Sequence, residues 1–153
     1  MRITKYSVQL VKEKAMNYDL GDERITNPYI AMQLVNNIFN LNNQCEENLV
    51  MLALDTKNRI VGAFNVHVGT ISSSLVSTKS ILTRALLCNA KSIMIFHNHP
   101  SGDTTPSSED IQMTRKLAQA SNLLDITLLD HIIIGEDDSF YSINSHHRSA
   151  FSV

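Results

Sequence analysis

Tryptophan is absent from the sequence, and there are only three prolines, five glycines and two cysteines in 153 residues. Cys45 and Cys88 form no Cys-x-x-Cys pair, which leaves no disulfide framework and no thiol redox motif. Both thiols are expected to be reduced and the location cytoplasmic. Long apolar runs are missing too. The run "LVMLAL" at 49–54 is typical, far short of a bilayer span. The N-terminus "MRITKYSVQL" lacks the continuous apolar stretch of a signal peptide. Positive charge is also in short supply: 13 Lys and Arg stand against 15 Asp and Glu, a net charge of −2. The nearest basic pairs are Arg115-Lys116 and His147-Arg148. A protein that grips phosphate backbones usually shows a basic patch, so DNA binding is not indicated by charge, although folding can assemble a patch from scattered residues.

What is present is a globular balance, 43% apolar and 18% charged. One compact domain over residues 1–153 is expected, without internal repeat, linker or low-complexity segment. Residues 2–11 alternate polar and apolar with Tyr6, Val8 and Leu10 on one face, which predicts a strand. Residues 12–26 show no period and read as a connection. Asn27 can cap a helix and Pro28 suits its first position; Ile30, Leu34 and Ile38 then recur at helical spacing. Strands are predicted at 48–55, 59–69, 92–99, 125–135 and 140–143. Further helices are predicted at 77–89 and from about Ser107. Strands and helices therefore interleave, as in a mixed α/β sheet with helices packed on it.

The densest chemistry lies in "IMIFHNHPSGDTTPSSEDIQ", residues 93–112. His97 and His99 are two apart at the end of a strand, so both imidazoles project from one face and Asn98 from the other. Pro100 stops the strand and leaves them at its C-terminal end, where open α/β sheets tend to place sites. Ser107 to Asp110 reads S-x-x-D, close to a capping box, and helix capping alone would explain it. With the histidines beside it, another reading opens. Two imidazoles and an ionised carboxylate plus an open position form the catalytic zinc pattern. On these residues alone, a structural cap and a metal site both stand.

The spacing H97-x-H99-x7-S107-x-x-D110 matches the signature of the JAMM (MPN-type) metalloproteases. The longer "HNHPSGDTTPSSED" resembles the RadC family, as do "LDTKNRIVG" (54–62), "VGTISSSLV" (68–76), "RALLCNA" (84–90) and "LLDHIIIG" (128–135). The resemblance covers the chain from about the first strand to about Ser142. Thr104 departs from it, standing where the family loop usually has proline. Longer members carry an N-terminal helix-hairpin-helix region with no counterpart here, so a short single-domain member is expected.

That resemblance implies an MPN or cytidine-deaminase-like three-layer architecture and one zinc ion held by His97, His99 and Asp110. Zinc would lower the pKa of a water towards ~7, yielding a nucleophile at neutral pH. In the family a glutamate just before the first long core strand shuttles the proton to the leaving amine. "CEENLVMLALD" offers Glu46 and Glu47. Counting back from Leu54-Asp55 favours Glu47, with Glu46 the alternative and a solvated pair the bland reading. Ser107 matches the motif serine that donates to the oxyanion, provided capping leaves its hydroxyl free. A peptide or protein substrate is implied. The alternative function is a DNA repair or recombination module with a structural or vestigial metal, since RadC-like proteins carry that label by family name.

Other polar residues have plainer readings. Asp130 and His131 are expected as a satisfied structural pair, with a hydrogen bond to a metal-bound imidazole the other option. His67 should face solvent, and His146 and His147 look incidental. Asp103 reads as a turn residue, Ser72-Ser73-Ser74 as a loop, and Arg84 and Cys88 as helix surface and core. No H-E-x-x-H is present, and the zinc deaminase pattern lacks its second half.

Overall fold

The computed structural model describes residues 1, 3–18, 24–72 and 76–152. The strand expected over residues 2–11 is not found: residues 3–11 have no regular structure, and Ile3, Tyr6, Val8, Leu10 and Val11 are exposed. Position 2 lies outside the described residues. Alternation alone does not make a strand; the backbone needs a partner strand and the apolar face needs a surface to cover. Residues 3–11 have neither.

From Asn27 onward the elements follow the sequence signals closely. Asn27 caps α1 (Pro28–Phe39) by accepting the Ile30 N–H at 2.9 Å, and Pro28 takes the first turn. The helix stops at Asn40, which adopts the left-handed conformation (φ 54°) that asparagine tolerates. β1 (Asn48–Leu54) and β2 (Ile60–Val68) form a hairpin. Ser77 caps α2 (Thr78–Leu87), and β3 (Ser92–Asn98) ends just before Pro100. Ser107 and Asp110 form the reciprocal capping box of α3 (Ser108–Asn122). β4 (Thr127–Ile134), β5 (Phe140–Ser142) and the short α4 (Ile143–His146) follow.

The five strands lie in the order β2-β1-β3-β4-β5. β3 and β4 are parallel and the other neighbours antiparallel, a mixed sheet. A parallel pair needs a long crossover, which α3 supplies. β1 is apolar throughout because both its faces are buried. Leu49, Met51 and Ala53 pack with α2 and α3, while Val50, Leu52 and Leu54 pack with α1. Each fully buried Leu or Met stabilises the fold by roughly 1.5–3 kcal/mol. The result is three layers: α1, the sheet, then α2 with α3. Among the described residues no helix is long and apolar enough to cross a membrane.

Strand parity then decides what faces what. Ile93 and Ile95 belong to the core beneath α2 and α3, so His97 emerges on that side, while Asn98 follows Met94 and Phe96 to the α1 side. β4 would miss this register without an irregularity. Ile93 pairs with Leu128 but Met94 pairs with Asp130, so Leu129 is an extra, bulged residue. The bulge reverses parity, and His131 joins Leu128 on the α3 side instead of opposing it.

Candidate metal centre

Three elements converge at the C-terminal end of β3. His97 is fully buried there. His99 sits one residue past the strand, tied to β4 by its own N–H, which donates to the Ile134 carbonyl at 2.9 Å. Asp110 is the third residue of α3 and buried. The Nε2 atoms of His97 and His99 are 2.9 Å apart. Asp110 Oδ1 lies 3.3 Å from His97 Nε2, and Oδ2 lies 3.6 Å from His99 Nε2. Donors on a tetrahedral zinc are ~3.3 Å apart, given Zn–N bonds of about 2.0–2.1 Å, so these three are spaced to share one ion. They form the group of possible metal ligands found among the described residues.

Hydrogen bonds fix which ring nitrogens carry protons. The Thr114 hydroxyl donates to the Asp110 carbonyl at 2.7 Å. Its single proton is thereby committed, so at 2.7 Å from His131 Nδ1 it must accept. His131 therefore carries its proton on Nδ1 and accepts on Nε2, 2.7 Å from His97 Nδ1. His97 donates from Nδ1, and its Nε2 presents a bare lone pair to the centre. His99 Nδ1 donates to the Asp103 carbonyl at 2.6 Å, which bares its Nε2 as well. Two lone pairs and a carboxylate thus face one another. Such a set holds together only around a cation, whether a metal ion or a proton on His99.

The electrostatics agree. Burial pushes the His97 pKa down to about 4, with the His99 charge adding to the effect and Asp110 opposing it. Burial likewise holds His131 well below its ordinary value. His99 is raised, first by its hydrogen bond with Asp110. Burial alone would raise Asp110, but the His99 hydrogen bond and the His97 charge outweigh it and keep the carboxylate ionised. A histidine whose folded pKa lies below its unfolded value stabilises the fold above the unfolded value and loses that contribution as pH falls to the folded one. For His97 the window runs from 6.5 down to about 4. The loss across it is ~3 kcal/mol. His131 acts in the same direction; His99, with its pKa raised, acts in the opposite one. The melting temperature of metal-free protein is therefore expected to fall steadily between pH 7 and pH 4. A flat profile over that interval would show that the buried rings are not held neutral.

The other candidates lie as follows around the centre. Glu47 is half-buried just before β1; its Oε2 accepts the Ile71 N–H at 2.7 Å and its carbonyl accepts the Gly69 N–H at 2.8 Å. Glu46 is exposed, and its carbonyl accepts from Asn48 Nδ2 at 2.9 Å and from Asn98 Nδ2 at 3.0 Å. The Ser107 hydroxyl accepts the Asp110 N–H at 3.1 Å and donates to Asp110 Oδ2 at 2.7 Å. Its proton therefore points at the carboxylate that the capping box positions. Asp103 behaves as a turn residue, its Oδ1 accepting the Thr105 N–H at 2.9 Å.

Two residues have larger parts than the sequence suggested. Asp130 and His131 are not a side-chain pair. Asp130 turns to the other face, accepting from Ser142 Oγ at 2.6 Å and the Asn144 N–H at 3.0 Å, while His131 reaches His97. The bulge at Leu129, invisible in the residue pattern, aims it there. Asn98, the residue between the two histidines, also has a part that the sequence pattern does not assign. Its Oδ1 accepts the Asn48 N–H at 2.8 Å and its Nδ2 donates to the Glu46 and Gln44 carbonyls, so it clamps the segment carrying Glu47. The available signal was an asparagine facing a buried layer, which must find partners. His67 is half-buried rather than solvent-facing, and His146 stacks on Tyr141 with centroids 4.4 Å apart. Ser73 and Ser74 lie outside the described residues.

Fold and site together define a class: a three-layer α/β domain with a two-histidine, one-carboxylate centre at the end of a central strand. Comparison with known families agrees. The model of the RadC-like JAB domain matches residues 25–148, and the chain belongs to that family. It is 49% identical over 92 residues to a UPF0758 protein of Listeria monocytogenes serotype 4b, covering 60% of this chain and 41% of that one. To a UPF0758 protein of Roseiflexus castenholzii it is 43% identical over 117 residues, 75% of this chain and 49% of the relative. To one of Clostridium kluyveri it is 40% identical over 126 residues, 82% and 54% of the two chains. The chain thus spans about half the length of the curated relatives it matches.

Proposed function

We propose that this domain is a zinc-dependent hydrolase that cleaves an amide bond in a peptide or isopeptide substrate. The observation that carries the reading is the trio of inward-facing acceptors, His97 Nε2, His99 Nε2 and Asp110, within 3.6 Å of one another and with no proton donor among them unless His99 is charged. His97, His99 and Asp110 would hold the ion. Bound zinc would supply Lewis acidity, polarising a carbonyl and making water acidic near neutral pH.

The remaining work falls to the chain. His97 is locked by His131 and does not turn; His99, with its side chain 15% exposed, marks the open side from which a substrate approaches. Glu47 accepts a proton from the attacking water and returns it to the leaving amine. Its bond from the Ile71 N–H leaves the other oxygen for that task. Ser107 serves the developing oxyanion by swinging its hydroxyl away from Asp110 Oδ2. The Ser107 N–H, which donates to the same oxygen at 2.8 Å, keeps the carboxylate in place meanwhile.

Metal removal tests this directly. Purified protein should contain about one zinc per chain, and a quenched-fluorescence peptide or isopeptide library should be cleaved. A chelator should abolish cleavage and added zinc restore it. Stoichiometric zinc with no hydrolysis of any member would favour a structural metal in a binding module instead.

A further inference from the structure

The second half of α1 carries carboxamides on one face. Gln33, Asn36, Asn37 and Asn40 recur at three- and four-residue spacing, opposite the buried Ala31, Met32, Leu34 and Val35. With Asn42, Asn43 and Asp138 they line a cleft of about 320 Å³. Asn42 and Asn43 also line a second cleft, of about 270 Å³, that runs past Gln44 and Cys45 to His99, Pro100 and Glu136. Asn42 and Asn43 are common to both linings, so the two clefts adjoin and make up a groove whose inner part has His99, a member of the metal centre, in its wall.

The groove wall is held in place before any ligand arrives. Asn36 Oδ1 accepts the Asn42 N–H at 3.3 Å, and Asn43 Nδ2 donates to Asn40 Oδ1 at 2.6 Å and to Asn42 Oδ1 at 3.3 Å. A preset wall lowers the ordering cost of binding.

We propose that this groove binds an extended polypeptide with a basic side chain and leads it to the metal centre. The inference rests on the hydrolase reading for its purpose, but not for its chemistry. A carboxamide offers one acceptor and paired donors, which complements the alternating N–H and C=O of a main chain. A phosphodiester offers acceptors and negative charge, and demands cations. Among the described residues no Lys or Arg lines either cleft, and the charged groups there are the carboxylates Glu136 and Asp138. They repel a nucleic acid and favour lysine or arginine in the bound chain.

Three fluorescein-labelled probes test it by anisotropy: (Lys-Ser-Gly)4, (Glu-Ser-Gly)4 and a twelve-nucleotide single-stranded DNA. The basic peptide should bind at least tenfold more tightly than the other two. Gln33→Ala with Asn37→Ala, both exposed helix positions where alanine is well tolerated, should weaken it at least tenfold. Glu136→Gln with Asp138→Asn should bring the two peptides to within about twofold. No peptide binding, tighter binding of DNA, or wild-type affinity in the Gln33/Asn37 variant overturns the proposal. Zinc content, measured on the same samples, separates the two readings. Peptide binding by a chain that takes up no zinc removes the hydrolase and keeps the groove; zinc-dependent cleavage that ignores both variants does the reverse.

Discussion

Glu47→Gln is expected to lower amide hydrolysis by ~10²–10⁴-fold, the usual worth of a positioned acid–base group, while zinc stays at one per chain. Glutamine matches glutamate in shape and keeps an oxygen that can accept the Ile71 N–H, now at 2.7 Å, so the segment before β1 should hold its course. What disappears is the proton acceptor. The neighbouring change Glu46→Gln should leave the rate within about twofold, because that side chain is exposed. The pair is read by initial rates alongside metal analysis. Wild-type turnover in Glu47→Gln removes this residue from the chemistry; loss of zinc along with turnover makes it a structural support. Interchanged effects would hand the role to Glu46.

How much of this was legible beforehand depends on how local the cause is. The caps of α1 and α3 could be read from Asn27, Pro28, Ser107 and Asp110, because a cap is settled within four residues. The shared face of His97 and His99 follows from strand parity, which is local too. Residues 3–11 had the right alternation and still form no strand, since pairing depends on a distant partner that a pattern does not reveal. His131 depended on a bulge one residue long, at Leu129, and Asn98 on a segment some fifty positions earlier in the chain. The direct donors of the centre are thus readable from one stretch, while the groups that orient them are tertiary. The same contrast appears at Ser107: capping was foreseeable, but the second bond of its hydroxyl, to Asp110 Oδ2, emerges only from the folded geometry.

His131→Leu carries the second large effect, a 10–100-fold loss of metal affinity, the usual worth of a group that orients a ligand. Leucine has a similar volume but no acceptor, so His97 Nδ1 loses the partner it now has at 2.7 Å. An imidazole freed in this way can move its proton to Nε2, and the lone pair then points away from the centre. Burying an unpaired N–H also costs about 1–3 kcal/mol. The ring is therefore pushed towards the wrong tautomer, or towards a turned position, before any ion arrives. His131→Gln should recover much of the loss, because its amide oxygen can accept from His97 while its nitrogen donates to Thr114. Thr114→Val should do less harm than His131→Leu, since it removes the acceptor for His131 Nδ1 and a bond to the Asp110 carbonyl but leaves the His97–His131 contact in place. Competition against a chromophoric chelator measures all four affinities. Their expected order, wild type above His131→Gln and Thr114→Val and these above His131→Leu, follows from a single chain of donated protons. Equal affinity in His131→Leu and wild type would break that chain at its first link, because His97 would then present its Nε2 lone pair without help from the strand beside it.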